Sequence, residues 1–84
     1  MFLSLEDLFQ NLTPRQFQSL ITAFENGYYE IPRKTIIEDL ASLIGIKRKT
    51  FEEHLRKGEN TLMNFIIPIF QLIKKSKVLE TKIE

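Results

Sequence analysis

Between residues 47 and 57 the sequence reads Lys-Arg-Lys-Thr-Phe-Glu-Glu-His-Leu-Arg-Lys, five cations and two carboxylates around two apolar side chains set four apart. On a helix, Phe51 and Leu55 share one face. Arg48, Lys49, Glu52, Glu53 and Arg56 are then left outside. Cationic forks and ammonium groups on such a face suit anionic partners, and an arginine matches the paired O6 and N7 acceptors of a guanine edge. A carboxylate beside them can accept from cytosine N4. The chemistry on offer is recognition of phosphates and base edges.

The sequence offers little else. His54 is the only histidine and there is no cysteine, so neither a disulfide framework nor a Cys-based zinc site is expected. Glu52 and Glu53 are adjacent and diverge on a helix. No Ser–His–Asp grouping is evident, and three glycines do not make a phosphate loop. An enzyme is not expected, and neither a metal nor a cofactor. His54 is read as a helix-packing or phosphate-facing residue. Tyr28 and Tyr29 lack the dense basic–aromatic interleaving of single-strand binders and are read as core and loop anchors.

Eighty-four residues, 43% of them hydrophobic, suffice for one domain with a real but small core. The net charge of +1 is unremarkable, yet charge is segregated along the chain. Glu6 and Asp7 stand alone at the start, cations gather at 47–57, and four lysines against Glu80 occupy 74–82. The acidic start does not resemble a secretory signal. The longest apolar run, Leu62 to Ile73, is broken by Asn64, Pro68 and Gln71, well short of the ~20 apolar residues of a spanning helix. A cytoplasmic, soluble protein without membrane partners is expected.

The elements that must carry these residues are helical. Ser4 precedes Leu5, Leu8 and Phe9, one apolar face of a short helix ending near Asn11. Thr13-Pro14 with Gln16 makes a capping box with proline at the first position. Phe17, Leu20, Ile21 and Phe24 follow as the inner face of helix 14–26, which Gly27 stops. Tyr28 to Lys34 reads as an ordered connector, with Ile31 extended before Pro32. Thr35 and Glu38 predict a second capping box, with Ile37, Leu40, Ala41 and Ile44 facing inward as far as Gly45. A third helix restarts beyond Gly45. Pro68 predicts a break near 66–68 and a final helix 68–79.

Two short helices around a glycine turn are a helix-turn-helix pattern, here at about 36–57 in an all-α domain of four or five helices. Ala41 lets the second helix cross closely, Gly45 permits the bend, and Ile46 plugs the corner. That geometry would lay the third helix in a DNA major groove. Arg48, Lys49, Glu52 and Arg56 are the expected base contacts. Arg15, Arg33, Lys34, Lys47 and Lys57 are the expected phosphate contacts, which position without reading sequence.

The ordered set Leu12-Thr13-Pro14-Arg15-Gln16, Gly27-Tyr28-Tyr29, Ile31-Pro32-Arg33, Leu40-Ala41, Gly45-Ile46, Thr50-Phe51 and His54-Leu55-Arg56 resembles the helix-turn-helix domain of the archaeal bacterio-opsin activator family. The resemblance implies a DNA-binding transcription regulator, related in architecture to sigma region 4 and LuxR-type domains. Lys47 stands where that family commonly has Ser or Thr, and Gly58 where Ala is expected, so Gly58 marks either a close crossing or a bend. Such domains usually sit at the C-terminus of longer proteins carrying sensor modules, and no sensor module is expected within these 84 residues.

The apolar residues of 62–73 exceed what one helix stripe of a small monomer buries, which points to an interface; the alternative is that this helix folds back on the N-terminal helix and completes the monomer core. Phe65, Ile66, Ile69, Phe70 and Ile73 are the expected homodimer contacts, and twofold symmetry would set two recognition helices about one DNA turn (~34 Å) apart. The rival reading is a protein–protein interaction module that uses the same helix on the same scaffold.

Overall fold

The computed structural model describes residues 4–76. Among the described residues there are four helices: α1 (Leu5–Asn11), α2 (Pro14–Glu25), α3 (Ile37–Ile44) and α4 (Arg48–Lys75). Ser4 Oγ accepts from the Asp7 N–H at 3.2 Å and starts α1. The capping box at α2 is complete: Thr13 Oγ1 accepts from the Gln16 N–H at 3.1 Å, and Gln16 Oε1 accepts from the Thr13 N–H at 3.3 Å. These bonds satisfy amide donors that have no partner inside a helix.

The α3 start differs from expectation. Ile36, not Thr35, is the N-cap, and no side chain caps the helix, so Glu38 completes no capping box. Ile37 begins the helix because it, with Leu40, Ala41 and Ile44, packs against the core. Burial sets this boundary where a hydroxyl cap was expected. At the other end Gly45 has φ +73°, a left-handed conformation that costs a side-chain-bearing residue energy. It lets the Ile46 N–H donate back to the Ala41 carbonyl at 3.1 Å, closing the helix and dropping Ile46 onto the core.

Leu40, Ala41, Phe51, Leu55, Ala23 and Tyr28 form the buried centre. The buried residues of α2 are Ser19 and Ala23. Phe17, Ile21 and Phe24, expected on the inner face, are exposed, and only Leu20 of that set packs on the core. Small side chains win this position because α4 crosses close by. A Cβ built at Gly58 would stand 2.9 Å from Leu20 Cδ1 and 3.4 Å from the Gln16 carbonyl, so Gly58 marks a close crossing. In α1, Leu5 and Phe9 are likewise exposed and Leu8 is half-buried, with Phe9 meeting Phe17 edge-to-face at 6.4 Å between ring centres.

No break occurs at 66–68. Pro68 sits inside one continuous helix, and the separate helix expected at 68–79 does not exist within the described residues; its last three residues lie outside them. Proline removes the donor for the carbonyl of Asn64. Asn64 is exposed, so solvent can take that bond and the helix runs on. At ~1.5 Å per residue α4 rises about 42 Å, nearly the whole 46 Å length of the molecule.

Candidate nucleic-acid interface

The first two turns of α4 are pinned from behind. Phe51 is 0% exposed and Leu55 3%, both against Leu40 and Ala41 of α3. Helical spacing then turns Lys49, Glu53 and Arg56 away from the core, at i, i+4 and i+7, and all three are exposed. Asn60 continues that row one turn further and is exposed too. Among the described residues, Lys47, Lys49 and Arg56 have no ion-pair or hydrogen-bonded side-chain partner. Arg56 and Asn60, with Gln16, Lys57 and Thr61, line a shallow groove where α4 meets α2.

Arg48 and Glu52 are placed differently. The Arg48 guanidinium lies 3.8 Å from Glu38 of α3 and 3.4 Å from Glu52 one turn along α4. The three residues form an exposed ion cluster across the helix-turn-helix junction. Such surface pairs contribute ~0–1 kcal/mol each, so a phosphate or base can take Arg48 from them at low cost. Glu38 was not singled out from sequence as a partner, since nothing in its spacing reveals the angle at which α3 meets α4.

The other cations surround this face unevenly. Arg15 donates to Gln18 at 3.0 Å in the first turns of α2. Arg33 stacks 4.2 Å from the centre of the buried Tyr28 ring, while Lys34 pairs with Glu30 at 3.2 Å and Lys57 with Glu53 at 3.5 Å. The connector is tied to α4 by Tyr29, whose hydroxyl donates to Glu59. Partial burial, then the hydrogen-bonded Glu59 carboxylate, push the Tyr29 phenol well above its usual range. The Ile31–Pro32 peptide in this connector is cis. His54 is half-buried, and no group of three or more His, Cys, Asp or Glu among the described residues could hold a metal ion.

Residues 12–64 match the family of helix-turn-helix (HTH) DNA-binding domains. The chain belongs to the bacterio-opsin activator-type helix-turn-helix family. This HTH domain is 40% identical over 58 residues to the transcriptional regulator NarO of Haloferax volcanii, covering 69% of the chain and 28% of that protein. It is 34% identical over 58 residues to the bacterioopsin transcriptional activator of Halobacterium salinarum, covering 69% of the chain and 9% of that protein. The dimethyl sulfoxide reductase transcriptional activator of Haloferax volcanii is 35% identical over 52 residues, covering 62% of the chain and 24% of that protein. The chain thus spans less than a third of the length of each of these relatives. No solved structure matches it. The family is a DNA-binding one, not an enzymatic one.

The Lys47 departure from the family pattern has a structural counterpart. Lys47 is the N-cap of α4, with φ −71° and ψ 149°, and no side chain accepts from the first-turn amides. Lys47→Ser should supply that acceptor and raise stability by ~1 kcal/mol, checked by urea denaturation. The same change removes a cation beside Arg48 and should weaken DNA binding.

Proposed function

We propose that this chain is the double-stranded-DNA-binding module of a cytoplasmic transcription regulator, acting as a homodimer. The observation that carries the reading is the row of Lys49, Glu53 and Arg56 facing solvent directly in front of the Phe51–Leu55 anchor. The names of the relatives, all transcriptional regulators or activators, agree with it. Lys49 and Arg56 enter the major groove and read base edges. Arg48 and Glu52 act from the junction with Glu38, with Arg48 exchanging carboxylates for a phosphate or a guanine on binding. Arg15, Arg33, Lys34, Lys47 and Lys57 hold the flanking phosphates. Phe65, Ile66 and Ile69 are half-buried and Phe70 and Ile73 exposed, leaving apolar surface through which two copies associate.

The deciding experiment is selection of bound sequences from a random duplex library, followed by titration of the recovered site. Lys49→Ala and Arg56→Ala should each weaken binding to that site by ~1–3 kcal/mol and relax preference at one position. Arg48→Ala should cost less, because its gain on binding is offset by the carboxylates it leaves. Circular dichroism should show all three variants folded, since none of these side chains is buried. Unchanged affinity in both Lys49→Ala and Arg56→Ala would place recognition on another face. No helix among the described residues is long and apolar enough to cross a membrane.

A further inference from the structure

Two apolar edges of this molecule meet and, among the described residues, are left uncovered by its helices. The first is the flank of α2, where Phe17, Ile21 and Phe24 are exposed, Phe24 by 71%. Ile21 and Phe24 of this flank, with Leu20, Leu62 and Met63, wall an apolar groove between α2 and α4, and Tyr29 and Glu59 stand at the rim. The second edge runs out of that groove along the distal half of α4, where Met63, Ile67, Phe70 and Ile73 are exposed. The radius of gyration, 15.7 Å, exceeds the ~12 Å of a compact chain of this length, because the distal helix projects past the core. Together the two edges expose on the order of 600 Å² of apolar side chain. That is at the upper limit of ~300–600 Å² for the largest patch on an ordinary monomer. It approaches the ~800 Å² per partner of a standard interface.

We propose that the occupant of this groove is the distal half of α4 from a second copy, seated reciprocally and antiparallel. The inference rests on the self-association proposed above and assigns it a surface and a register. Charge selects the occupant. Between Glu59 and Lys74 the helix carries no charged residue, so each copy presents a neutral apolar bar with a carboxylate at one end and Lys74–Lys75 at the other. Laid parallel, two such bars set like charges together. Laid antiparallel about a twofold axis between Ile66 and Ile67, they bring Lys74 of each copy to Glu59 of the other. Tyr29 holds Glu59 through one carboxylate oxygen, which leaves the second for the lysine. In the same register Met63 faces Phe70 of the second copy, and Phe24 closes over the incoming helix. Met63 lies ~21 Å along α4 from Lys49, so the recognition face stays outside the contact.

The test uses the 84-residue chain in sedimentation equilibrium. The expected mass is twice the 9.9 kDa of the protomer. Phe24→Glu and Phe70→Glu, both at positions exposed in the protomer, should each raise the dimer dissociation constant at least tenfold while circular dichroism stays unchanged. Register is read by cross-linking, since the chain has no cysteine of its own. Met63→Cys with Phe70→Cys in one chain should oxidise to a covalent dimer. Neither single variant should, because like positions are then offset by ~10 Å along the helices, past the ~7 Å Cα separation a disulfide spans. A monomeric chain, glutamate variants that remain dimeric, or single-cysteine variants that cross-link as readily would each overturn the proposal. A monomer that still binds duplex DNA would sink the interface alone; a dimer that ignores DNA would sink the DNA reading alone.

Discussion

Raising monovalent salt from about 50 to about 200 mM should weaken binding to duplex DNA by roughly 500-fold per protomer. Five phosphate-facing cations, Arg15, Arg33, Lys34, Lys47 and Lys57, would release counterions with a slope of about −0.9 per phosphate neutralised. Fluorescence anisotropy on a random duplex at a series of salt concentrations measures that slope directly. The expectation is local rather than global, because the chain's net charge is only +1 and overall attraction is small. Four of the five are already engaged within the protein, Arg15 with Gln18, Arg33 with Tyr28, Lys34 with Glu30 and Lys57 with Glu53. Each that keeps its internal partner lowers the slope by about one. A slope near zero would mean that the basic face meets no phosphate, and the groove-docking geometry would fall with it.

Phe51→Ala should largely unfold the domain. Phe51 is the largest fully buried side chain and touches the helix-turn-helix from its centre. Removing a buried phenylalanine costs ~3–5 kcal/mol, about all that a core in a domain of this size supplies. Thermal melting followed by circular dichroism should show loss of the cooperative transition. Leu43→Ala, at a site 62% exposed on the adjacent helix, should change stability by no more than ~0.5 kcal/mol. A Phe51→Ala variant that melts like the Leu43 control would mean that α4 is not held by this residue. The orientation of Lys49 and Arg56 would then need another explanation.

Much of the domain was legible from residue order because local chemistry and burial agree there. Thr13-Pro14-Gln16 caps α2 wherever that helix packs, and Gly45 supplies the bend irrespective of its neighbours. Leu40, Ala41, Phe51 and Leu55 fall on one side of two successive helices, and the structure buries all four. The inner face of α2 was not legible. Periodicity locates an apolar stripe without saying which of its edges another helix covers; here the covered edge is that of Ser19 and Ala23, with Leu20 seated on Gly58. Pro68 misled for a related reason, since its effect depends on whether the stranded carbonyl can reach water. At the candidate interface, the outward residues follow from Phe51 and Leu55 alone. The Arg48–Glu38 contact does not, being a property of the angle between two helices.

The unbroken course of α4 puts the groove-reading turn and the projecting apolar bar on a single rigid shaft. Their relative azimuth is set by residue count and by nothing else. One residue inserted or lost between Leu55 and Leu62 would swing one end about 100° around the axis relative to the other. Seven added together would nearly preserve phase while lengthening the shaft by ~10 Å. Length in this segment is therefore constrained far more tightly than in the connector before α3, where an extra residue has no such mechanical readout.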